Sequence, residues 1–514
     1  MTAAERTPLA ATAARGVGIA AGGQLLTFVI SLGSYLVLAR LASPREFGQL
    51  AAGSIVVGVG TLVSESGMLA ALVQRRDRVE EAASTAFVAT VAGGILMSLV
   101  ALGLAPVVGL FYHNRTIGLV AAALSGVLVV RQTMVAPDAI MQRRFSFVRR
   151  VILEPSGGLL GAGAAIAGTA AGLGVWGLVI GIYATMLTQA VLCWAMIDWR
   201  PSLRLASFGM WRELARFGRN VIAGESIRRL DLEARTAIVG RLVGVSDLGQ
   251  YTYAYRMILI PLGIVVNGAS YVLLPVLARI SDDEERFRAA VLRSLRWMAL
   301  LGFPTSLVLI PLGHPLLVVF FGARWRPAGD AVPFMALFGA AGAVVSLAAA
   351  AFDAVGRPSL VPRMHLLTAV VGVSLSAALS GFGLRAVAAA VSVGGVAGAA
   401  YALYGISLVT GLRLRALAAE LVRPAVAALL SMGAAWGLEI VLDPASHRTP
   451  VAVALFVSEG AAAFVALLLA LAVVAPASFA ELERVLRMFG KPGPDAAAAA
   501  AVPAPPLGGT RSGL

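Results

Sequence analysis

The sequence contains few charged residues, one cysteine, four histidines and one lysine. Charged side chains make up 13% of its 514 residues, whereas soluble domains usually contain about 25%. A single cysteine, Cys193, excludes an intramolecular disulfide and any metal site built from several thiolates. The histidines show no HExxH spacing, and no GxxxxGK[ST] phosphate loop occurs. We therefore predict no catalytic residues, no metal site and no cofactor.

The sequence is rich in long apolar runs. Hydrophobic residues form 59% of the chain, and the mean hydropathy is +0.86. A membrane-spanning helix needs about 20 mostly apolar residues, and the chain contains about fourteen such runs. Short connections rich in glycine and proline separate them, as expected for antiparallel neighbours. The sequence therefore predicts an all-α polytopic membrane protein.

The positive charge is spread over loops rather than gathered in one patch. The formal net charge is +14, and arginines are concentrated in the loops after even-numbered runs, for example Arg75, Arg143 and Arg288. Cytoplasmic loops carry such an excess, so we predict that both termini are cytoplasmic. Anionic headgroups attract arginines in these positions. The charge therefore does not indicate a nucleic-acid partner.

The chain repeats one of its own stretches. ARLASPREFGQL, residues 39–50, aligns without a gap with GRLVGVSDLGQY, residues 240–251. The alignment places Gly48 on Gly249 near the end of each stretch. Internal repeats indicate equivalent structural units. We therefore expect two related halves.

The seventh apolar run, residues 218–240, is unusual because it is highly charged. Ionisable side chains within a membrane span cost several kcal/mol and by default mark a functional site. At about 100° per residue these side chains share one polar face, which predicts a water-filled cavity beside the helix. The charged residues of this run are Glu225, Arg228, Arg229, Asp231, Glu233 and Arg235.

A purely structural interpretation of the same run stays open. Glu225 and Arg229, Arg229 and Glu233, and Asp231 and Arg235 are spaced four residues apart. Such pairs can form a self-neutralised ladder along one helix. Against this interpretation, buried ion pairs rarely offset the cost of their desolvation.

Charges also occur in other spans. Arg131 and Arg256 lie deep in their runs, and we predict that both line a cavity, whereas Glu65 is a candidate for charge pairing. The planar guanidinium group suits phosphate, so a cavity lined by arginines favours an anion such as pyrophosphate. Tyr251 and Tyr255 share a helical face. An interfacial aromatic belt is the simpler explanation for them, and stacking on sugar rings is the alternative.

Several stretches together resemble a known family. They include LARLASPREFGQLA, MQRRFSFVRR, GRLVGVSDLGQYTYAYRMILIPLG and DAVGRP, and the resemblance covers roughly residues 10–411. In this order they are similar to Wzx-type flippases, the polysaccharide-transport branch of the multidrug/oligosaccharidyl-lipid/polysaccharide exporter superfamily. The resemblance implies a V-shaped pair of six-helix lobes related by a pseudo-two-fold axis, with two further helices. The implied segments are a cytoplasmic N-terminal segment (1–15), an N-lobe (16–215), a C-lobe (216–411), two final spans (412–474) and a cytoplasmic, largely disordered tail (475–514).

The resemblance also implies a function. Family members move lipid-linked oligosaccharides, typically on polyprenyl pyrophosphate, across the bacterial inner membrane by alternating access, for cell-surface polysaccharide synthesis. A polymerase and a chain-length regulator are the implied protein partners. One further hypothesis is that Glu225 or Asp231 binds a proton or another cation and releases its arginine partner. By this analogy pyrophosphate and glycan would contact Arg228, Arg229, Arg235, Arg131 and Arg256, and coupling or charge pairing would involve Glu225, Asp231, Glu233 and Glu65.

Two other functions fit the sequence less well. A multidrug exporter of the same superfamily would need an acidic cavity with few arginines, which the seventh run disfavours. A membrane glycan polymerase or ligase would need a long outer loop bearing catalytic residues, whereas the predicted outer loops are short.

Overall fold

The computed structural model describes residues 22–480, apart from residues 24, 66, 76, 144–146, 448 and 477–478. This part of the chain is helical throughout, with short turns between the helices. The helices are α1 (Leu25–Leu41), α2 (Pro44–Gly53), α3 (Ile55–Glu65), α4 (Met68–Gln74), α5 (Val79–Phe111), α6 (Arg115–Gln132), α7 (Val135–Arg143), α8 (Phe147–Ala170), α9 (Val175–Ala195), α10 (Phe208–Ile238), α11 (Val245–Arg279), α12 (Glu284–Leu307), α13 (Leu309–Phe321), α14 (Arg326–Ala354), α15 (Leu360–Ala378), α16 (Leu384–Thr410), α17 (Leu414–Leu442) and α18 (Thr449–Val474).

The helices confirm the predicted all-α membrane class. Within the described residues, nine helices are long and apolar enough to cross a membrane, or ten if the bent pair α12 and α13 forms one span. The bend between these two helices is 48°. Pro311 lies at the start of α13 and has no N–H to donate to the carbonyl of Leu307, so the helix breaks there. The count of fourteen spans stays a prediction.

The helices pack in two groups that follow chain order. In the first half α5 packs on α6 and α8 on α9, and in the second half α16 packs on both α14 and α15. The halves meet where α2 contacts α11 and where α10 contacts α3, α4 and α5. The last two helices, α17 and α18, pack on each other and on the bent pair.

The two copies of the repeated stretch touch each other. A Cβ atom at Gly48 of α2 would overlap the carbonyl oxygen of Val245, and one at Gly249 of α11 would overlap that of Pro44. Glycine therefore lets the backbones of α2 and α11 approach directly. We call this side of the helix bundle the repeat end.

Aromatic side chains fill the space beneath this backbone contact. The ring of Tyr253 lies with its centroid 4.8 Å from Phe47 and 4.1 Å from Trp325. Trp325 is fully buried, and its indole N–H donates to the carbonyl of Ala39 in α1 at 2.9 Å. These three rings close the interior at the repeat end.

A guanidinium group adds a second connection at the same end. Arg40, the last but one residue of α1, donates to the backbone carbonyls of Val319 at 2.6 Å and Phe320 at 2.9 Å. Both acceptors belong to the last turn of α13, whose carbonyls have no partner within the helix. Arg40 therefore ties the first half to α13.

Candidate functional site

A cavity of about 630 Å³ lies between the two halves. Helices α1, α2, α8 and α9 form its first wall, and α10 and α11 form the opposite wall. Phe47 and Tyr253 close it toward the repeat end. The polar part of the first wall comes from α1, where Ser31, Ser34 and Tyr35 follow one helical face. Both halves therefore contribute to one interior site.

The charged part of the cavity wall is an ion pair on α10. Arg229 and Glu233 lie four residues apart, with 3.0 Å between Nε and Oε1, and both line the cavity. Gly58 of α3 lies directly behind them, because a Cβ atom there would overlap the Glu233 carboxylate and lie 2.5 Å from Nη2 of Arg229. The pair therefore sits where the two halves meet.

A second cation stands on α11. Arg256 lines the cavity and its Cζ lies 4.6 Å from the ring centroid of Tyr35. Within the described part of the chain no carboxylate pairs with Arg256. A guanidinium over an aromatic face is held in place by cation–π attraction while its N–H donors stay available. Arg256 is therefore the cavity cation best placed to meet an anion.

The two tyrosines singled out from the sequence also border the cavity. The rings of Tyr251 and Tyr255 stack with centroids 5.9 Å apart and planes inclined by 9°. Tyr251 is 2% exposed, so it lies inside the protein and its interpretation as part of an interfacial belt is wrong. Stacking on sugar rings stays a prediction.

Another ion pair of α10 points away from the cavity. Arg235 is 1% exposed, its Nε donates to Asp231 Oδ1 at 2.8 Å, and its Cζ lies 5.5 Å from the ring of Phe338 on α14. At about 100° per residue this pair is roughly 160° around the helix from the pair that lines the cavity. The charges therefore occupy two faces of α10 rather than the single polar face expected. Two of the three predicted ladder pairs are present, and the third involves Glu225, whose side chain lies outside the described residues.

The remaining predicted residues are dispersed. Arg131 lines a second cavity of about 500 Å³ together with Asp138 and Glu154. This cavity shares Ser31, Gly158 and Thr185 with the first, so the two are neighbours.

Three predicted residues are not placed at either cavity. One of them lines neither cavity, and the side chains of the other two lie outside the described residues. Arg228 is exposed and belongs to the lining of neither cavity in the described chain. The side chains of Glu65 and Glu225 lie outside the described residues.

The polar stripe of α1 was not among the residues predicted to form the site. Thr27, Ser31, Ser34 and Tyr35 recur at intervals of three to four residues within an apolar helix, which is the spacing of one helical face. That signal was readable from the sequence. The position of Gly58 behind an ion pair could not be predicted from the sequence. A glycine within an apolar run indicates that another helix packs closely there, but it does not identify that helix.

Comparison with known proteins shows that the chain is similar to proteins of polysaccharide biosynthesis. Residues 37–330 match the profile of a family described as "Polysaccharide biosynthesis protein". The chain is 25% identical to succinoglycan biosynthesis transport protein ExoT of Rhizobium meliloti over 64% of its own length and 66% of the relative's. It is 24% identical to lipopolysaccharide biosynthesis protein WzxC of Escherichia coli, over 58% and 61%. The chain thus spans slightly less than two thirds of either relative.

The fold is shared with a solved transporter. The lipid II flippase MurJ, in an inward closed conformation, superposes with a TM-score of 0.71 at 13% sequence identity, covering 88% of this chain and 97% of MurJ. At this identity the likeness establishes the fold alone.

Proposed function

Because the chain belongs to the polysaccharide biosynthesis protein family, the group its sequence motifs resemble, we propose that it translocates a lipid-linked oligosaccharide across the inner membrane. The carrier would be a polyprenyl pyrophosphate. The relatives named above are proteins of polysaccharide and lipopolysaccharide synthesis, and MurJ is a lipid II flippase. The multi-pass helical fold supports a transport role.

The observation that carries the proposal is the cavity cation Arg256. A pyrophosphate group needs donors that are not already neutralised by a carboxylate, and Arg256 meets that requirement on the α11 wall. Arg229 faces the same space but shares its charge with Glu233. We propose that Arg256 receives the pyrophosphate first and that Arg229 joins when the Glu233 contact rearranges. The serines of α1 and the stacked tyrosines then border the glycan.

Alternating access would occur between two lobes that correspond to the two halves. We propose that the repeat end faces outside, so that its closure would seal the outer side and the cavity would load from the cytoplasmic leaflet. Binding sites at the interface of two repeats are common in transporters. Arg131 in the second cavity, and Arg228 at the exposed face of α10, are proposed to guide the lipid headgroup, whereas Arg235 and Asp231 would hold the C-lobe together.

The proposal is tested by translocation of a fluorescent polyprenyl-pyrophosphate oligosaccharide in proteoliposomes. Loss of one charge-assisted hydrogen bond in Arg256→Ala should slow translocation by about 10- to 100-fold, and Arg229→Ala should have a smaller effect. Arg241→Ala is the matched control, because Arg241 is exposed in the turn that follows α10 and is not among the residues lining the cavity. Equal rates for the parent, Arg256→Ala and the control would refute the assignment. A parent chain that moved no lipid but exported small cationic molecules would favour a multidrug exporter.

A further inference from the structure

A fully buried carboxyl group in the last helix has no part in the cavity. Glu459 is the one ionisable residue of α18 and stands ten residues from its start, about 15 Å along the helix axis. It is 0% exposed, and neither carboxylate oxygen has a hydrogen-bond partner among the described residues. An ionised carboxylate without a partner is strongly disfavoured in apolar surroundings. In this conformation the neutral, protonated form of Glu459 is therefore favoured over the carboxylate.

The side of α18 that bears Glu459 faces α13, the second helix of the bent pair. Phe456 lies one helical turn before Glu459 and so shares its face. The ring centroid of Phe456 is 5.2 Å from that of Phe320 in α13. Helices α17 and α18 also pack along each other. Glu459 therefore lies in the seam between α13, α17 and α18.

Titratable groups extend from this seam to the surface at the repeat end. From α17, Glu439 and the exposed Asp443 lie within electrostatic range of Glu459, and α13 contributes His314, which lies within range of Glu439. The turn between α17 and α18 ends at the exposed His447. These groups provide a route by which a proton could reach Glu459 from the repeat end.

The His314 side chain is itself anchored. Its Nδ1 lies 2.7 Å from Asp330 Oδ1, and Asp330 also accepts from Arg385 at 2.6 Å. This cluster ties α13 to α14 and α16 near the same surface.

Helix α13 links the buried acid to the closure at the repeat end. Its residues Val319 and Phe320 offer the carbonyls that hold Arg40 of α1, and Phe320 also packs on α18. The 48° bend before α13 separates this short helix from α12. Because the same turn of α13 contacts both α18 and Arg40, a displacement of this turn would disturb both contacts at once.

We propose that Glu459 is a proton-binding site that controls the closure at the repeat end. With the proton bound, α13 packs on α18 and Arg40 is held. When the proton leaves to water, the resulting carboxylate must be hydrated, water enters the seam, and α13 separates from α18 and releases Arg40. If the proposed function holds, a proton taken up from outside would reset the transporter after the lipid has left.

The test measures opening without any lipid substrate, so that its failure differs from failure of the flippase proposal. Ser34→Cys places a reporter thiol in the cavity wall, and the native Cys193 is buried. A membrane-impermeant thiol reagent is added outside, and rates are normalised to the reagent's rate with a free thiol at each pH. In the parent, labelling should rise by up to about tenfold per pH unit, the limit for one proton.

Glu459→Gln keeps the shape of the protonated acid, so it should fold and label slowly at every pH. Glu459→Asp retains an acid and should restore the pH response. Ser458→Ala is the matched control, because Ser458 is exposed on the same helix and bonds only to the carbonyl of Leu455 among the described residues. It should behave like the parent. A parent without pH response, or a Glu459→Gln variant that keeps it, would overturn the proposal.

Discussion

The direct backbone contact between the two repeat copies leaves no room for a side chain at Gly48 or Gly249. Alanine at Gly48 would place Cβ 2.8 Å from the carbonyl carbon of Val245, and alanine at Gly249 would place it 2.7 Å from that of Pro44. Carbon atoms in contact prefer about 3.5–4.0 Å, and the carbonyl oxygens lie closer to each Cβ than the carbonyl carbons do, so α2 and α11 must move apart by more than about 1 Å. Neither glycine has a positive φ, so the alanine backbone itself is unstrained.

Forced overpacking of this kind costs about 1–3 kcal/mol. On the proposal that opening separates α2 from α11 at this contact, the cost would fall on the closed state alone and should shift the balance toward the open state by roughly 5- to 150-fold. Either alanine variant should therefore increase labelling of the Ser34→Cys reporter from outside by a factor in that range. The double variant should not exceed the single ones by much, because both substitutions break the same contact.

Gly103→Ala provides the matched control for this experiment. It lies within α5, and apart from its chain neighbours and the backbone of its own helix no atom of the described chain lies within 4 Å of the position its Cβ would occupy. Its labelling should equal that of the parent, since it tests only the general effect of replacing a helical glycine. If Gly48→Ala and Gly249→Ala also labelled like the parent, the repeat contact would not be the closure of the cavity.

Three further outcomes are expected. Gly58→Ala should displace the Glu233 carboxylate and slow lipid translocation by about tenfold or more, and normal translocation would contradict a role for that ion pair. Trp325→Phe should remove one buried hydrogen bond worth about 1 kcal/mol and so raise reporter labelling several-fold, whereas unchanged labelling would show that the indole N–H does not hold the closure. Outside the predicted span, the hydrogen bond from Arg75 holds the pKa of Glu213 below its ordinary value. Any stabilisation from this exposed pair is present above the ordinary pKa and lost as pH falls below about 4, so the Tm of Glu213→Gln should lie slightly below the parent's at neutral pH and converge with it in acid; an unchanged difference in acid would contradict the pairing.

The charges of α10 illustrate what local spacing can and cannot predict. Four-residue spacing alone identified the Arg229 and Glu233 pair and the Arg235 and Asp231 pair, because such pairs depend only on local helix geometry. Spacing did not say which pair borders the cavity. That choice depends on which helices pack on each side of α10, and those neighbours are distant in the chain.

The membrane class, the internal repeat and the family were readable from the sequence, because hydropathy and motif order are local properties of the chain. Only the tertiary structure brought Gly48 against Gly249, set Arg256 over Tyr35 and enclosed Glu459 without a hydrogen-bond partner among the described residues. Each of these depends on contacts between helices that are far apart in sequence. Contacts between distant helices decide which side chains are buried and which partners they meet. The spacing of residues along one helix cannot specify these contacts.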